Sequence, residues 1–158
     1  AQVDRFILKC RVGYPSRDEE RQILDRMATA TPPTIERPVV TTADILAARR
    51  LVDGVYVDDK VKGYVVDLVL ATRDPKAFGL DLAPLVQYGA SPRATLALAL
   101  AARAHAFLQG RGFVLPQDVK TLAPDVLRHR VVPTYEAEAE DLDADALVAR
   151  VLDGVPVP

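Results

Sequence analysis

A mainly helical bundle is the fold class this sequence predicts, and three observations carry it. Apolar residues recur at helical spacing in several separate stretches of the 158-residue chain, among them Val61, Tyr64, Val65, Leu68 and Val69. A serine stands just ahead of such stretches, as Ser16 and Ser91 do, where a helix cap is favoured. Strand-like alternation is confined to a few short pieces, "RFILKCR", "FVLP" and "VVPTY".

Taken in order, "RFILKCRVGYP" opens as a strand, with Phe6, Leu8 and Cys10 alternating against Ile7, Lys9 and Arg11. A lone strand leaves its backbone groups unpaired, and no initiating methionine precedes it, so the stretch is expected to be the last core strand of a longer protein. Ser16 followed by Glu19 forms a capping box for a first helix, whose stripe is Ile23, Leu24 and Met27 and which "TATPPTIERP" breaks. A second helix begins near Thr42 with Asp44 in its first turn, carries Ile45, Ala48 and Val52 on one face, and ends at Gly54. The third, "DDKVKGYVVDLVLATRD", stops before Pro75.

The loop "PKAFGLDLAPLVQYGA" leads to Ser91 as N-cap and Pro92 at the first helical position, where its missing N–H costs nothing. No charged side chain occurs from Ala94 to Ala102, so this helix is predicted to be apolar nearly all round and to run through the centre of the domain until Gly110. "FVLP" then introduces "QDVKTLAPDVLRHR", expected to be interrupted at Pro124, and "VVPTY" follows; a short β pairing between "FVLP" and "VVPTY" is foreseen. "EAEAEDLD" reads as an acidic link before a last helix with Leu147, Val148 and Val151 on its apolar side. The whole amounts to about six helices after an N-terminal strand remnant.

Lysine and arginine total 20 against 22 acidic residues, and the net charge of -2 gives no global reason to expect nucleic acid or an acidic membrane. A single cysteine, Cys10, excludes an internal disulfide framework and multi-cysteine zinc sites and fits a cytoplasmic protein. No apolar run reaches the ~18 residues of a membrane helix. There is no Gly-Lys-Ser or Gly-Lys-Thr phosphate loop, no histidine pair at metal spacing and no nucleophile elbow. His105 and His129 each read as structural, the acidic run from Glu136 to Asp143 as a solvated link, and the triplet Arg128-His129-Arg130 as a complement to a helix C-terminus.

Arg93 is the residue that does not fit a purely structural account. A cation on the first turn of a helix opposes the macrodipole at a cost of about 0.3 to 1 kcal/mol unless an anion compensates. Ser91 and Pro92 fix the helix start, Gly89 would let the loop approach a ligand, and a guanidinium beside a helix N-terminus offers donors to a phosphate. Pairing with a local carboxylate such as Asp81 is the alternative.

The segments "AQVDRFILKCRVGYPSRDEERQIL", "YGASPRATLALALAARAHAFLQGR", "FVLPQDVKTLAPDVLRHRVV" and "YEAEAE" together resemble the C-terminal part of the MoxR family of AAA+ ATPases. The resemblance implies a division into residues 1–14, the end of the ATPase core, and residues 15–158, a C-terminal helical lid domain. It implies that Arg93 is the second sensor facing the γ-phosphate, with Ser91 and Pro92 beside it on the lid side of ATP, and that Arg5 of "DRF" is an arginine finger acting in trans. ATP with Mg is the implied cofactor of a bacterial, ring-forming, hexameric, chaperone-like ATP hydrolase. Its implied partners are its own core, the neighbouring subunits and proteins with von Willebrand factor A domains, with no nucleic acid and no membrane insertion.

The family's phosphate-binding loop, magnesium-binding motif and first sensor are not in these residues, so this chain alone is expected to bind no cofactor and to be inactive. Exposed apolar residues are expected around "LAPLVQYGA", where a lid would meet its core. Two readings from other classes are a winged-helix-like DNA-binding module built on "FVLPQDVKTLAPDVLRHRVV" and a passive protein-interaction domain.

Overall fold

The computed structural model describes residues 2–31, 33–34 and 37–158. Seven α-helices are found among them: α1 Arg17–Met27, α2 Thr42–Asp53, α3 Asp59–Arg73, α4 Pro92–Leu108, α5 Pro116–Leu127, α6 Tyr135–Ala139 and α7 Ala144–Gly154. Two short strands, β1 Val86–Tyr88 and β2 Val132–Pro133, form one antiparallel pair. The chain divides into two compact units, residues 1–10 with 50–158, and residues 11–49. Part of the "TATPPTIERP" loop lies outside the described residues.

In the smaller unit the caps are those the sequence announces. Ser16 and Glu19 form the reciprocal capping box of α1, and Thr41 and Asp44 exchange equivalent bonds of 2.8 and 3.2 Å at the start of α2. The apolar stripe of α1 (Ile23, Leu24 and Met27) and Ile45 and Leu46 of α2 are exposed.

The larger unit holds the core. α3 buries Val61, Tyr64, Val65, Leu68 and Val69, the residues of its helical stripe, and α7 buries Leu147, Val148 and Val151. α4 contributes mainly small residues to the core, Ala94, Ala97, Ala102 and Ala106 with Leu98. Small side chains on that face let the α3 and α5 backbones come close. α4 is not buried all round, however: Leu96, Leu100 and Leu108 are exposed. Its lack of charge from Ala94 to Ala102 reflects a small-residue packing face and an uncovered leucine face, two causes that periodicity does not separate.

Three local expectations are corrected here. Residues 6–15 contain no strand; a 3-10 turn at Val3–Arg5 precedes an extended segment that Lys9 N–H anchors to the Asp125 carbonyl at 2.8 Å. "VVPTY" pairs not with "FVLP" but with β1, in the register Val86 to Pro133 and Tyr88 to Val132. Phe113 of "FVLP" instead makes a parallel bridge with Tyr56. α5 runs through Pro124, which lies in its last turn where only one ladder bond is forfeited.

The "EAEA" stretch of the supposed acidic link is helical, because Thr134 caps α6 by accepting the Ala137 N–H. In "LAPLVQYGA", Leu82, Leu85 and Ala90 belong to the core and Tyr88 is exposed. Among the described residues no helix is long and apolar enough to cross a membrane.

The loop before α4 is fixed against α3 by backbone contact. The buried Thr72 hydroxyl donates to the Val69 carbonyl at 2.7 Å and accepts the Ala90 N–H at 2.9 Å. A Cβ at Gly89 would stand 2.3 Å from the Thr72 carbonyl oxygen, so the glycine serves close approach to α3 rather than to a ligand. Gly89→Ala is therefore expected to destabilise the larger unit by about 1–3 kcal/mol, as overpacking does. The check is the urea midpoint of the variant, which should fall with the slope unchanged.

Candidate functional site

α4 begins with Ser91 as N-cap and Pro92 at its first position. Pro92 has no N–H to offer, the Arg93 N–H bonds to Ser91 Oγ at 3.2 Å, and the Ala94 N–H bonds to the Ser91 carbonyl at 2.9 Å. The first-turn donors are consumed inside the turn. What remains facing outward is the Arg93 side chain, which is exposed.

The anion that this helix start calls for comes from 87 residues away in sequence. Asp4 Oδ2 accepts the Ser91 hydroxyl at 2.8 Å, and Asp4 Oδ1 accepts Arg130 Nε at 2.9 Å. Burial alone would push the Asp4 carboxyl up. The hydrogen bonds from Ser91 and Arg130 and the charges of Arg130 and Arg93 outweigh it and hold the carboxyl below the usual aspartate value. Asp4, rather than Asp81, thus supplies the compensating charge.

Arg5 follows directly, at the end of the 3-10 turn. Its side chain is exposed, with the guanidinium carbon 5.6 Å from the centroid of the Phe6 ring. Such an exposed cation–π contact is worth about 0.5–1 kcal/mol and leaves the guanidinium N–H groups accessible.

The Arg128-His129-Arg130 triplet holds the N-terminal segment rather than merely complementing the α5 dipole. Arg128 bonds Asp125 at 2.6 Å, Asp145 at 2.8 Å and the Lys9 carbonyl at 2.9 Å. His129 Nε2 lies 3.0 Å from the Phe6 carbonyl, which can only accept, so Nε2 carries the proton. Burial, joined by the charges of Arg130 and Lys9, lowers the His129 pKa against the opposing pull of the Phe6 bond and of Asp4. This histidine is held towards its neutral form, not recruited as a cation. Arg130 is buried and bonds Asp4, Phe6, Ile7 and Val126.

A second polar cluster joins α4 to α5. Asp118, buried, accepts two bonds from the Arg111 guanidinium (2.8 and 2.5 Å), one from His105 Nδ1 (2.7 Å) and one from the Leu115 N–H (2.7 Å). Burial raises its carboxyl, yet these bonds prevail and bring the pKa down to about 2. His105 is accordingly tied into the structure. Among the described residues no three His, Cys, Asp or Glu side chains converge on a metal-sized position.

A family model described as an AAA lid domain matches residues 81–151, a span that includes α4, α5 and both strands. Chaperone MoxR1 of Mycobacterium tuberculosis is 44% identical over 159 aligned residues, which take in 100% of this chain and 42% of that protein. The chain belongs to the MoxR family of AAA+ ATPases. Another MoxR relative, Protein MoxR of Paracoccus denitrificans, is 35% identical across 98% of this chain and 49% of its own length.

The crystal structure of a presumed ATPase from Cytophaga hutchinsonii superimposes with a TM-score of 0.94 at 34% identity, covering 99% of this chain and 48% of that one. The chain spans about half the length of the relatives it matches. Within this MoxR-family lid, Arg5, Ser91, Pro92 and Arg93 fall in one neighbourhood through Asp4, which the sequence did not single out, and Arg130, which it read only as part of a helix-end triplet. Asp118 left a readable sign, an acidic residue at the third position of a helix that Pro116 opens. Asp4 left none.

The Asp118 cluster has a pH signature. A carboxyl whose pKa is lowered from 3.8 to about 2 on folding adds stability that is complete above about pH 4 and is lost as pH falls through about 2. That amounts to on the order of 2 kcal/mol. Asp118→Asn is expected to be less stable at neutral pH and to show a flatter stability profile between about pH 4 and 2. Denaturant unfolding across that range checks it; an acid limb as steep as that of the parent protein would contradict the assignment.

Proposed function

We propose that in the whole protein this lid takes part in ATP binding and hydrolysis, Arg93 serving as the second sensor and Arg5 as an arginine finger directed at the neighbouring subunit's nucleotide. The observation that carries the reading is the start of α4. Its backbone donors are spent on Ser91, so the exposed Arg93 guanidinium is the group there still able to meet a phosphate. A cation tolerated at a helix N-terminus, offset by only a shared carboxylate, suits an anion that arrives during a reaction cycle.

Residues 1–14 would be the end of the ATPase core and residues 15–158 the lid. The phosphate-binding loop and the magnesium ligands would come from the portion of the relatives that this chain does not span. ATP with Mg is then bound chiefly there, Ser91, Pro92 and Arg93 closing the site from the lid side, and the chain alone would not hydrolyse ATP. The name Chaperone MoxR1 supports a chaperone-like role; a ring-forming hexamer acting on partners with von Willebrand factor A domains is what the family resemblance implies.

A nucleic-acid role finds no support in the basic triplet. Arg130 is buried, and Arg128 and His129 are bonded to the N-terminal segment.

In the full-length protein, Arg93→Ala is expected to keep the fold and to lose at least tenfold in kcat. Arg5→Ala should lose more, up to the ~10³ to 10⁵ that a finger can supply. Steady-state ATPase assays read both. If the finger acts in trans, Arg5→Ala subunits mixed with subunits defective only in their own nucleotide site regain activity; turnover by both single variants at the parent rate would end the reading.

A further inference from the structure

The Arg130 guanidinium has five N–H donors, and each has an acceptor. Nε–H goes to Asp4 Oδ1, the two Nη1 donors go to the carbonyls of Ile7 and Val126, and the two Nη2 donors go to the carbonyls of Asp4 and Phe6. Asp4 and Phe6 flank Arg5, so a single nitrogen holds the backbone on both sides of that residue while its side chain points out to solvent. The other carboxylate oxygen of Asp4 takes the Ser91 hydroxyl, and Ser91 Oγ takes the Arg93 N–H. An unbroken series of polar contacts therefore runs from the backbone of Arg93 through Ser91, Asp4 and Arg130 to the backbone of Arg5.

Two members of this series, Arg130 and the α4 start, are held in place by their surroundings. The Arg130 side chain is 2% exposed, and a buried guanidinium must keep its acceptors or suffer a large desolvation penalty. The α4 start is locked by Pro92 and by the Thr72 bond to Ala90. Asp4 is a charged group shared by the two halves, and its carboxylate feels the charges of both Arg130 and Arg93.

We propose that Asp4 and Arg130 are positioning residues that set Arg5 and Arg93 as one unit, so that the arginine facing a subunit's own nucleotide and the arginine offered to its neighbour are placed together. The proposal rests on the roles given above to Arg5 and Arg93. A pull on Arg93 by an incoming phosphate is felt at Ser91 and Asp4, and from there at the turn that carries Arg5. Contiguous polar contacts between two discrete sites can carry coupling of this kind.

The test uses the full-length protein with Asp4→Asn, a near-isosteric change that removes the shared charge, alone and combined with Arg5→Ala, and reads kcat, KM for ATP and thermal midpoint. The expected result is a fall in kcat of about tenfold with KM within threefold. The double variant should be no slower than Arg5→Ala alone, since residues that act as a unit are strongly non-additive. If Asp4→Asn does not fold, Ser91→Ala in the Arg93→Ala background decides by the same non-additivity. A kcat within twofold of the parent, or losses that multiply, would overturn the coupling while leaving the arginine roles intact. Parent-like turnover by both Arg5→Ala and Arg93→Ala removes those roles and the coupling with them.

Discussion

A buried guanidinium can be kept in a protein only if its charge is matched and every donor is met, and Arg130 meets both conditions by drawing in a stretch of chain more than 120 residues upstream. Four backbone carbonyls and one carboxylate are its acceptors. The position of the N-terminal turn, the outward aim of Arg5 and the anion at the start of α4 all follow from where that one cation sits. Hydrophobic burial cannot do this work for the segment, since Phe6, Ile7 and Leu8 remain exposed. Directional polar contacts hold it instead.

The core that supports this arrangement is built on contrast in side-chain size. α3, α5 and α7 bring Leu68, Leu127 and Leu147 to the centre, and α4 meets them with alanines at positions 94, 97, 102 and 106. Where the alanine face ends, the polar Asp118 cluster takes over and pins the end of α4 to the start of α5. α4 is thereby fixed at both ends, by Thr72 through the loop before it and by Asp118 through the loop after it. A residue on its first turn inherits that rigidity, a precondition for placing a guanidinium to within a fraction of an ångström.

Much of this was legible in the residues themselves. Helical spacing located α1 to α5 and α7, and short-range chemistry located their starts, because a cap and its partner lie within three or four residues of each other. The failures share one cause. "FILKCR" alternates like a strand, but alternation says nothing of whether a partner strand is present. "VVPTY" took β1 over "FVLP", a choice between extended pieces that local sequence does not make. Arg93 stood out because it broke a local rule, whereas Asp4 and Arg130 broke none, and their pairing across the chain is a product of the fold.

α5 shows what this arrangement means for the separability of parts. An α-helix leaves its last carbonyls without internal partners, and here two of the four are taken up by groups tied to the N-terminal segment: Asp125 by the Lys9 N–H and Val126 by Arg130. The resemblance assigns residues 1–14 to the neighbouring core, yet they complete a helix end that belongs to the lid. Without its first ten residues the chain would leave the buried Arg130 short of most of its acceptors and the Asp125 carbonyl without the Lys9 N–H, so the end of α5 depends on a segment far upstream in sequence.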